Sequence, residues 1–385
     1  MDSVKIRGDG QVREACCVLR GRVRYASLWT WPKPVSPVLD WACVHRDHGP
    51  MGFLRCCPAP FLALACATVA HPSTALGQRA SFGPLTSEEG APLQRISYTP
   101  MMEGADVVGP GEIRADVWLG FSNVFEQDSS ATHVLFLDME RLISTIGLRW
   151  GVTASVEVGG RITLETTGPG ALDAVILGWH NRLGFGNANR DRFPEGVYRQ
   201  RLTDGKNRTF LDIPRTTLGF EDIRFFGKWR ALESADRRSV LSLRTVARIP
   251  GDSNLAGDER GDVALMALGR LGIGAWYAHV MLGGATVRAS PELAPILKDA
   301  SAFFTLAFER SLGPRIAALV QFQTQSAILR SFDHRELDRA PTSLLFGLAG
   351  RWGDSWRWDA SFQEDVPADT PAVDFTIGLR VSRTW

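Results

Sequence analysis

The end of the chain reads Val373-Asp374-Phe375-Thr376-Ile377-Gly378-Leu379-Arg380-Val381-Ser382-Arg383-Thr384-Trp385. Val373, Phe375, Ile377, Leu379 and Val381 fall on one side of an extended chain. Asp374, Thr376, Gly378, Arg380, Ser382 and Thr384 fall on the other. A period of two over this length predicts a strand with one apolar and one polar face. Soluble strands usually run about five or six residues, whereas a tilted strand crossing a bilayer needs about 9–11. The terminal segment has the second length.

The same pattern recurs upstream. Ile113, Ala115, Val117, Leu119 and Phe121 oppose Arg114, Asp116, Trp118, Gly120 and Ser122. Val156, Val158, Ile162 and Leu164 oppose Glu157, Arg161, Thr163 and Glu165. Ile223, Phe225 and Trp229 oppose Asp222, Arg224 and Lys228, and Trp356, Trp358 and Phe362 oppose Arg357, Asp359, Ser361 and Gln363. A soluble antiparallel sheet with one wet face also alternates, but segment length favours a barrel with lipid outside and water within. Tryptophans near segment ends (Trp150, Trp229, Trp276, Trp352, Trp356 and Trp385) are expected at the membrane interface.

Reading back from the C-terminus places strands near 373–384, 355–364, 342–352, 315–326, 301–310, 275–287, 262–272, 238–249 and 220–232. Three more fall near 154–166, 138–151 and 112–125. The count is about 12, the even number a bacterial barrel requires. Connection lengths give a second check. Val152-Thr153, Glu233 to Arg237, Gly272 to Gly274, Ser311 to Pro314 and Gly353-Asp354 are short. They alternate with long or intermediate ones, the longest being 167–219. The expected fold is therefore all-β: a transmembrane antiparallel up-and-down barrel, its longest loop partly helical and folded into the lumen.

Composition agrees by exclusion. Forty-three basic residues against 42 acidic ones point to no nucleic-acid partner. No run of 18 apolar residues is present, which removes a helical membrane protein. All six cysteines (Cys16, Cys17, Cys43, Cys56, Cys57 and Cys66) lie early, and the adjacent pairs do not match the separated pairs of zinc sites. Neither a metal nor a cofactor is expected. Met51 opens a stretch with Arg55, an apolar run from Cys56 to Ala70 and small residues to Gly77, the layout of a secretory signal peptide. Residues 1–50 then read as a spurious or disordered extension, 51–77 as the signal, 78–110 as an N-terminal segment or plug, and 111–385 as the barrel.

The 167–219 loop is too long for a passive connection. It opens with an expected short amphipathic helix, Ala171 to Trp179. It continues through Gly178-Trp179-His180-Asn181-Arg182-Leu183-Gly184-Phe185-Gly186-Asn187-Ala188-Asn189-Arg190-Asp191-Arg192-Phe193-Pro194. Together with Gly83-Pro84-Leu85, Ser122 to Glu126 and Gly219-Phe220-Glu221-Asp222-Ile223, this run resembles the bacterial family catalogued as domain of unknown function 3187. The resemblance covers most of residues 83–385 and singles out Trp179, His180, Asn181, Asn187 and Asp191. It implies an outer-membrane barrel without assigned activity. A terminal aromatic on an alternating strand resembles the signal read by the barrel-assembly machinery; Arg383 departs from that pattern.

Arg182, Arg190, Arg192 and Arg201 of the loop are expected to enter the lumen and pair with Asp116, Glu157, Glu165, Asp222, Asp359 and Asp374. Such pairing would make either a selective constriction or a structural plug. No catalytic residue is assigned, because His133, His180, His279 and His334 show neither nucleophile-elbow nor zinc-ligand spacing. Asp252, Asn254 and Asp258 fail the EF-hand pattern. The functional expectation is a passive channel or transporter for small solutes. Its partners would be outer-membrane lipid, lipopolysaccharide and the assembly machinery. The alternative is a barrel-embedded hydrolase or a structural outer-membrane protein.

Overall fold

The computed structural model describes residues 81–385 apart from 131, 171–172, 184–189, 205, 207, 213–217, 253–260, 289, 292, 331–337 and 367–372. The expected extension, the signal peptide, all six cysteines, Asn187, Asn254, Asp258 and His334 lie outside the described residues, as do the side chains of Trp179, His180 and Asp191.

Among the described residues, fourteen strands form one antiparallel sheet. The first three are β1 (Ile113–Ser129), β2 (His133–Gly151) and β3 (Val156–Gly168). Within the long connection lie helix α1 (Asp173–Leu183), β4 (Arg199–Asp204) and β5 (Thr209–Asp212). The remainder are β6 (Gly219–Glu233), β7 (Val240–Pro250), β8 (Asp262–Ile273), β9 (Trp276–Thr286), β10 (Ala300–Ser311), β11 (Ile316–Gln325), β12 (Thr342–Trp352), β13 (Trp356–Asp365) and β14 (Phe375–Thr384). Each barrel strand pairs with its sequence neighbour, and β1 pairs with β14 as well as β2, so the ring closes. With β4 and β5 outside it, twelve strands make the wall. Closure leaves the twelve-strand ring without an edge strand.

One end of the barrel carries the tight turns. Gly274 and Gly353 sit there with φ of 60° and 63°, a left-handed backbone that glycine adopts without a Cβ clash. Call this the turn end; the long connections and α1 lie at the loop end.

Side chains sort by parity. Outward residues such as Leu265, Leu282, Phe225 and Ile377 are each more than half exposed. Their inward neighbours Asp222, Arg224, Lys228, Arg244 and Arg248 are buried. Trp118 also points inward; a side chain at Gly120 would run into its ring, so that glycine makes room for the indole.

The long loop departs from expectation. Strands β1 and β2 run 17 and 19 residues, beyond what the ring uses. Past Glu140 the β2 edge left by β3 is free, and β4 takes it, pairing His133–Asp138 with Arg199–Asp204, while β5 pairs with β4. The loop thus extends the wall at the loop end. Its described contacts, among them Arg190 with Asn123 and Gln200 with Tyr198, are made at that rim. Its described residues do not fill the lumen.

Candidate functional site: the lumen and the segment inside it

Residues 81–110 fill the lumen. They contain one short 3-10 turn, Gln94–Ile96, and no strand, so side chains hold them and not a backbone ladder with the wall. The segment enters at the turn end. There the Glu309 carboxylate accepts from Ser81 Oγ at 2.6 Å and the Phe82 amide at 3.0 Å, with His279 Nε2 also 3.0 Å away. It then climbs along β13. The Thr86 amide donates to Asp359 Oδ1 at 3.0 Å, and the Trp118 indole N–H donates to the Thr86 carbonyl, also at 3.0 Å. Glu89 accepts from the Ala91 and Val373 amides at 3.0 and 3.1 Å.

At the loop end the segment reverses. Ala91, Leu93 and Ile96 pack there against Val124, Leu135, Leu293, Leu297 and Ile328, an apolar cap over the lumen. Arg95 pairs with Glu221 and, at 3.3 Å, with Glu88; Arg224 pairs with Glu88 from the wall. On the way down Arg248 donates to the carbonyls of Arg95 and Ile96 at 3.0 and 3.2 Å, and Asp262 accepts the Tyr98 amide at 3.0 Å.

The strongest anchor is Glu103, which is 3 % exposed. Its carboxylate meets four wall cations: Arg161, Arg244 at 2.9 Å, Arg149 at 3.2 Å and Lys228 at 3.8 Å. The Arg244 guanidinium also lies 4.1 Å from the centroid of the Phe226 ring. Burial alone would raise the Glu103 carboxyl, but Arg149, Arg161, Arg244 and Lys228 together hold it well below the usual carboxylate range. Below it the Lys228 ammonium donates to the Asp106 carbonyl at 2.7 Å. Glu157 accepts the Val108 amide at 2.8 Å, just before the chain enters β1.

This occupant changes the pairing read from sequence. Asp116, Glu157, Glu165, Asp222 and Asp359 do face inward and are buried. Their charged partners, however, are wall cations. Arg149 serves Asp116 at 3.1 Å, Lys228 serves Glu157 at 2.8 Å, and Arg141 serves Glu165. Arg224 and Arg248 serve Asp222, both at 2.8 Å, and Arg380 serves Asp359 at 2.6 Å. Of the loop arginines, Arg182, Arg192 and Arg201 are exposed, and only Arg190 reaches an expected acid, Asp374 at 3.1 Å. Arg190 also lies 4.7 Å from the Phe125 ring centroid, and Asn181 is exposed on α1. The expectation failed because wall arginines stand within reach on neighbouring strands. A salt bridge needs contact, so the nearer cation wins.

All six tryptophans named from sequence face outward, and all stand at the turn end, so they form one belt and not two. Arg383 lies 5.3 Å from the Trp356 ring and 5.0 Å from the Trp385 ring, which gives the departure from an apolar residue there a physical role.

Sequence reasoning missed Glu103, Glu88, Arg95 and Glu309. One signal was present. Alternation puts Arg149, Arg161, Lys228 and Arg244 on the inner wall near one end with only Asp116 and Glu157 beside them. That excess of positive charge called for an anion from elsewhere in the chain.

Among solved structures, the chain is similar to the COG4313 outer membrane channel from Pseudomonas putida F1, with a TM-score of 0.47 and 12 % identity over 73 % of this chain and 98 % of that one. It is also similar to the CymD monoaromatic hydrocarbon channel, with a TM-score of 0.36 and 10 % identity over 72 % of this chain and 88 % of that one. The translocator domain of the autotransporter NalP from Neisseria meningitidis gives a TM-score of 0.36 and 10 % identity over 72 % and 90 % of the two chains. No curated protein matches the sequence. The barrel with its Gly178–Pro194 run falls within the match of one sequence family over residues 59–385, and the chain belongs to that family, described as protein of unknown function (DUF3187).

Proposed function

We propose that the protein is a bacterial outer-membrane channel for small solutes, closed in the state described here by residues 81–110 acting as a plug. The observation that carries this reading is how the plug is held. Every described contact with the wall runs through side chains or isolated backbone groups, so the segment can leave without breaking a rung of the barrel ladder. A barrel of eight strands is filled by its own wall side chains and one of 16 leaves a water channel; twelve lies between, and here a separate segment takes the space. The outward belt of Leu, Val, Ile and Phe would be covered by lipid, with the turn-end tryptophans at the headgroups. On this reading residues 51–77 direct export, the assembly machinery inserts the chain, and lipid and lipopolysaccharide are its surroundings. Planar-bilayer recording of the refolded chain, with and without residues 81–108, tests the channel. Silence in both would remove it.

The lipid-facing belt has its own test. Leu282 lies near the middle of β9, points outward and is 58 % exposed. Leu282→Arg is expected to cost about 2–4 kcal/mol in lipid vesicles, as arginine does at a bilayer midplane. The midpoint of denaturant-induced unfolding measures it, and an unchanged midpoint would mean that water covers this face.

A further inference from the structure

The inner wall is not uniform. From β2 to β8 it carries the cations and acids that grip the plug, while from β10 to β12 its polar residues are uncharged except toward the turn end, where Glu309 anchors Ser81 and Phe82. Strand β11 places Gln321, Gln323 and Gln325 on one inward-facing row, opposite Ala307, Thr305 and Phe303 of β10. At the loop end of this row a cleft opens between wall and plug. It is bounded by Thr305, Gln323, Thr324, Gln325 and Pro341 on the wall side, with Glu89, Thr99 and Pro100 of the plug opposite. Gln325 is 95 % buried, yet neither its Oε1 nor its Nε2 has a hydrogen-bond partner; the same holds for both amide atoms of Gln321 and for the hydroxyl of Ser301. Buried amides of this kind are uncommon, because each costs the desolvation of a group that water would otherwise satisfy.

We infer that this row and its cleft are a binding site for an uncharged, hydroxyl- or carboxamide-bearing small molecule. The chemistry of the lining selects the class. Each glutamine offers a donor and an acceptor, and Thr305 offers a hydroxyl that does both, whereas the Thr324 and Thr99 hydroxyls already donate to the Pro341 and Gln94 carbonyls. The one charged lining group, Glu89, is already occupied by the Ala91 and Val373 amides. An anion would therefore lose its water and meet only the like charge of Glu89, a cation would meet a carboxylate whose Oε1 already accepts two amides, and an apolar solute would leave the amides unpaired. Gln321 lies four residues along β11 from Gln325, about 13 Å deeper toward the turn end and outside the cleft itself, so the row continues the same chemistry along the path a solute would take as the plug leaves. The inference deepens the channel reading by naming its solute class, and rests on that reading only for transport; binding is read separately.

Saturation-transfer NMR on the refolded full-length chain in detergent provides the test, with arabitol as the neutral probe and gluconate and lysine as charged probes of similar length. Arabitol is expected to show saturable transfer, with gluconate and lysine at least roughly tenfold weaker. Gln321→Leu with Gln325→Leu should lower arabitol affinity roughly tenfold or more. Because the replaced amides have no partners, the double variant should fold as the parent does, checked by heat-modifiable gel migration. Equal binding of all three probes, unchanged arabitol binding in the variant, or no saturable transfer overturns the inference. Loss of conductance with arabitol binding intact would instead remove the channel and leave the site standing. If the variant misfolds, Gln321→Asn with Gln325→Asn replaces it. That pair keeps the chemistry but retracts the amides by a methylene, and it should weaken arabitol in the same direction.

Discussion

Glu103→Gln is expected to destabilise the plugged state by about 3–5 kcal/mol, the range for removing one partner of a buried ion network. The carboxylate is shared by Arg149, Arg161, Arg244 and Lys228. Glutamine has nearly the same shape but turns an amide N–H₂ toward those cations and removes the only negative charge that the plug presents to all four. The wall acids Glu157 and Asp116 remain, yet they already accept from Lys228 and Arg149. The variant should expose residues 81–110 to added protease and raise the open fraction in bilayer recordings. Glu112→Gln, on an exposed residue just past the plug, is the control and should change stability by less than about 0.5 kcal/mol. The effect should also depend on pH in one direction. A carboxylate held below its unfolded value contributes stability that is complete above the ordinary carboxylate range and disappears only as pH falls through the depressed folded value. Parent and variant should therefore differ fully at neutral pH and converge only in strong acid. Equal protease sensitivity at neutral pH would show that the four cations do not hold the plug.

Deleting residues 81–108 should produce the largest functional change, with single-channel currents on the order of ten times those of the full chain. Selectivity is the sharper readout. The deleted stretch carries Glu88, Glu89, Glu103 and Asp106 against Arg95 alone, four negative charges and one positive, so its loss leaves the lumen three units more positive. Arg149, Arg161, Arg224, Lys228, Arg244 and Arg248 then line an open passage. Fixed positive charge in a narrow pore attracts anions and repels cations. The reversal potential under a salt gradient should therefore move toward the chloride equilibrium potential. A cation-selective or silent deletion variant, still heat-modifiable and thus folded, would contradict the plugged-channel account.

The wall of this protein was legible in its sequence. Period-two alternation set which side of each strand faces out, from Ile113 to Val381, because a one-residue slip would turn every apolar side chain to the wrong face. Short connections at Val152, Gly274 and Gly353 fixed the parity of the turns, and with it the number of strands. Both signals are local, written within one strand or one turn. The contents of the lumen were not legible in this way. Residues 81–110 have no period, and their partners Glu221, Asp262, Glu309 and Asp359 stand more than a hundred residues away in the chain. The charges on the inner wall showed that partners were needed and left open which segment supplied them. Loop arginines and an N-terminal glutamate were both available. Closing the ring decided between them: it set Arg149, Arg161, Lys228 and Arg244 around one point inside the barrel, and the segment leading into β1 was the one whose carboxylate could reach it.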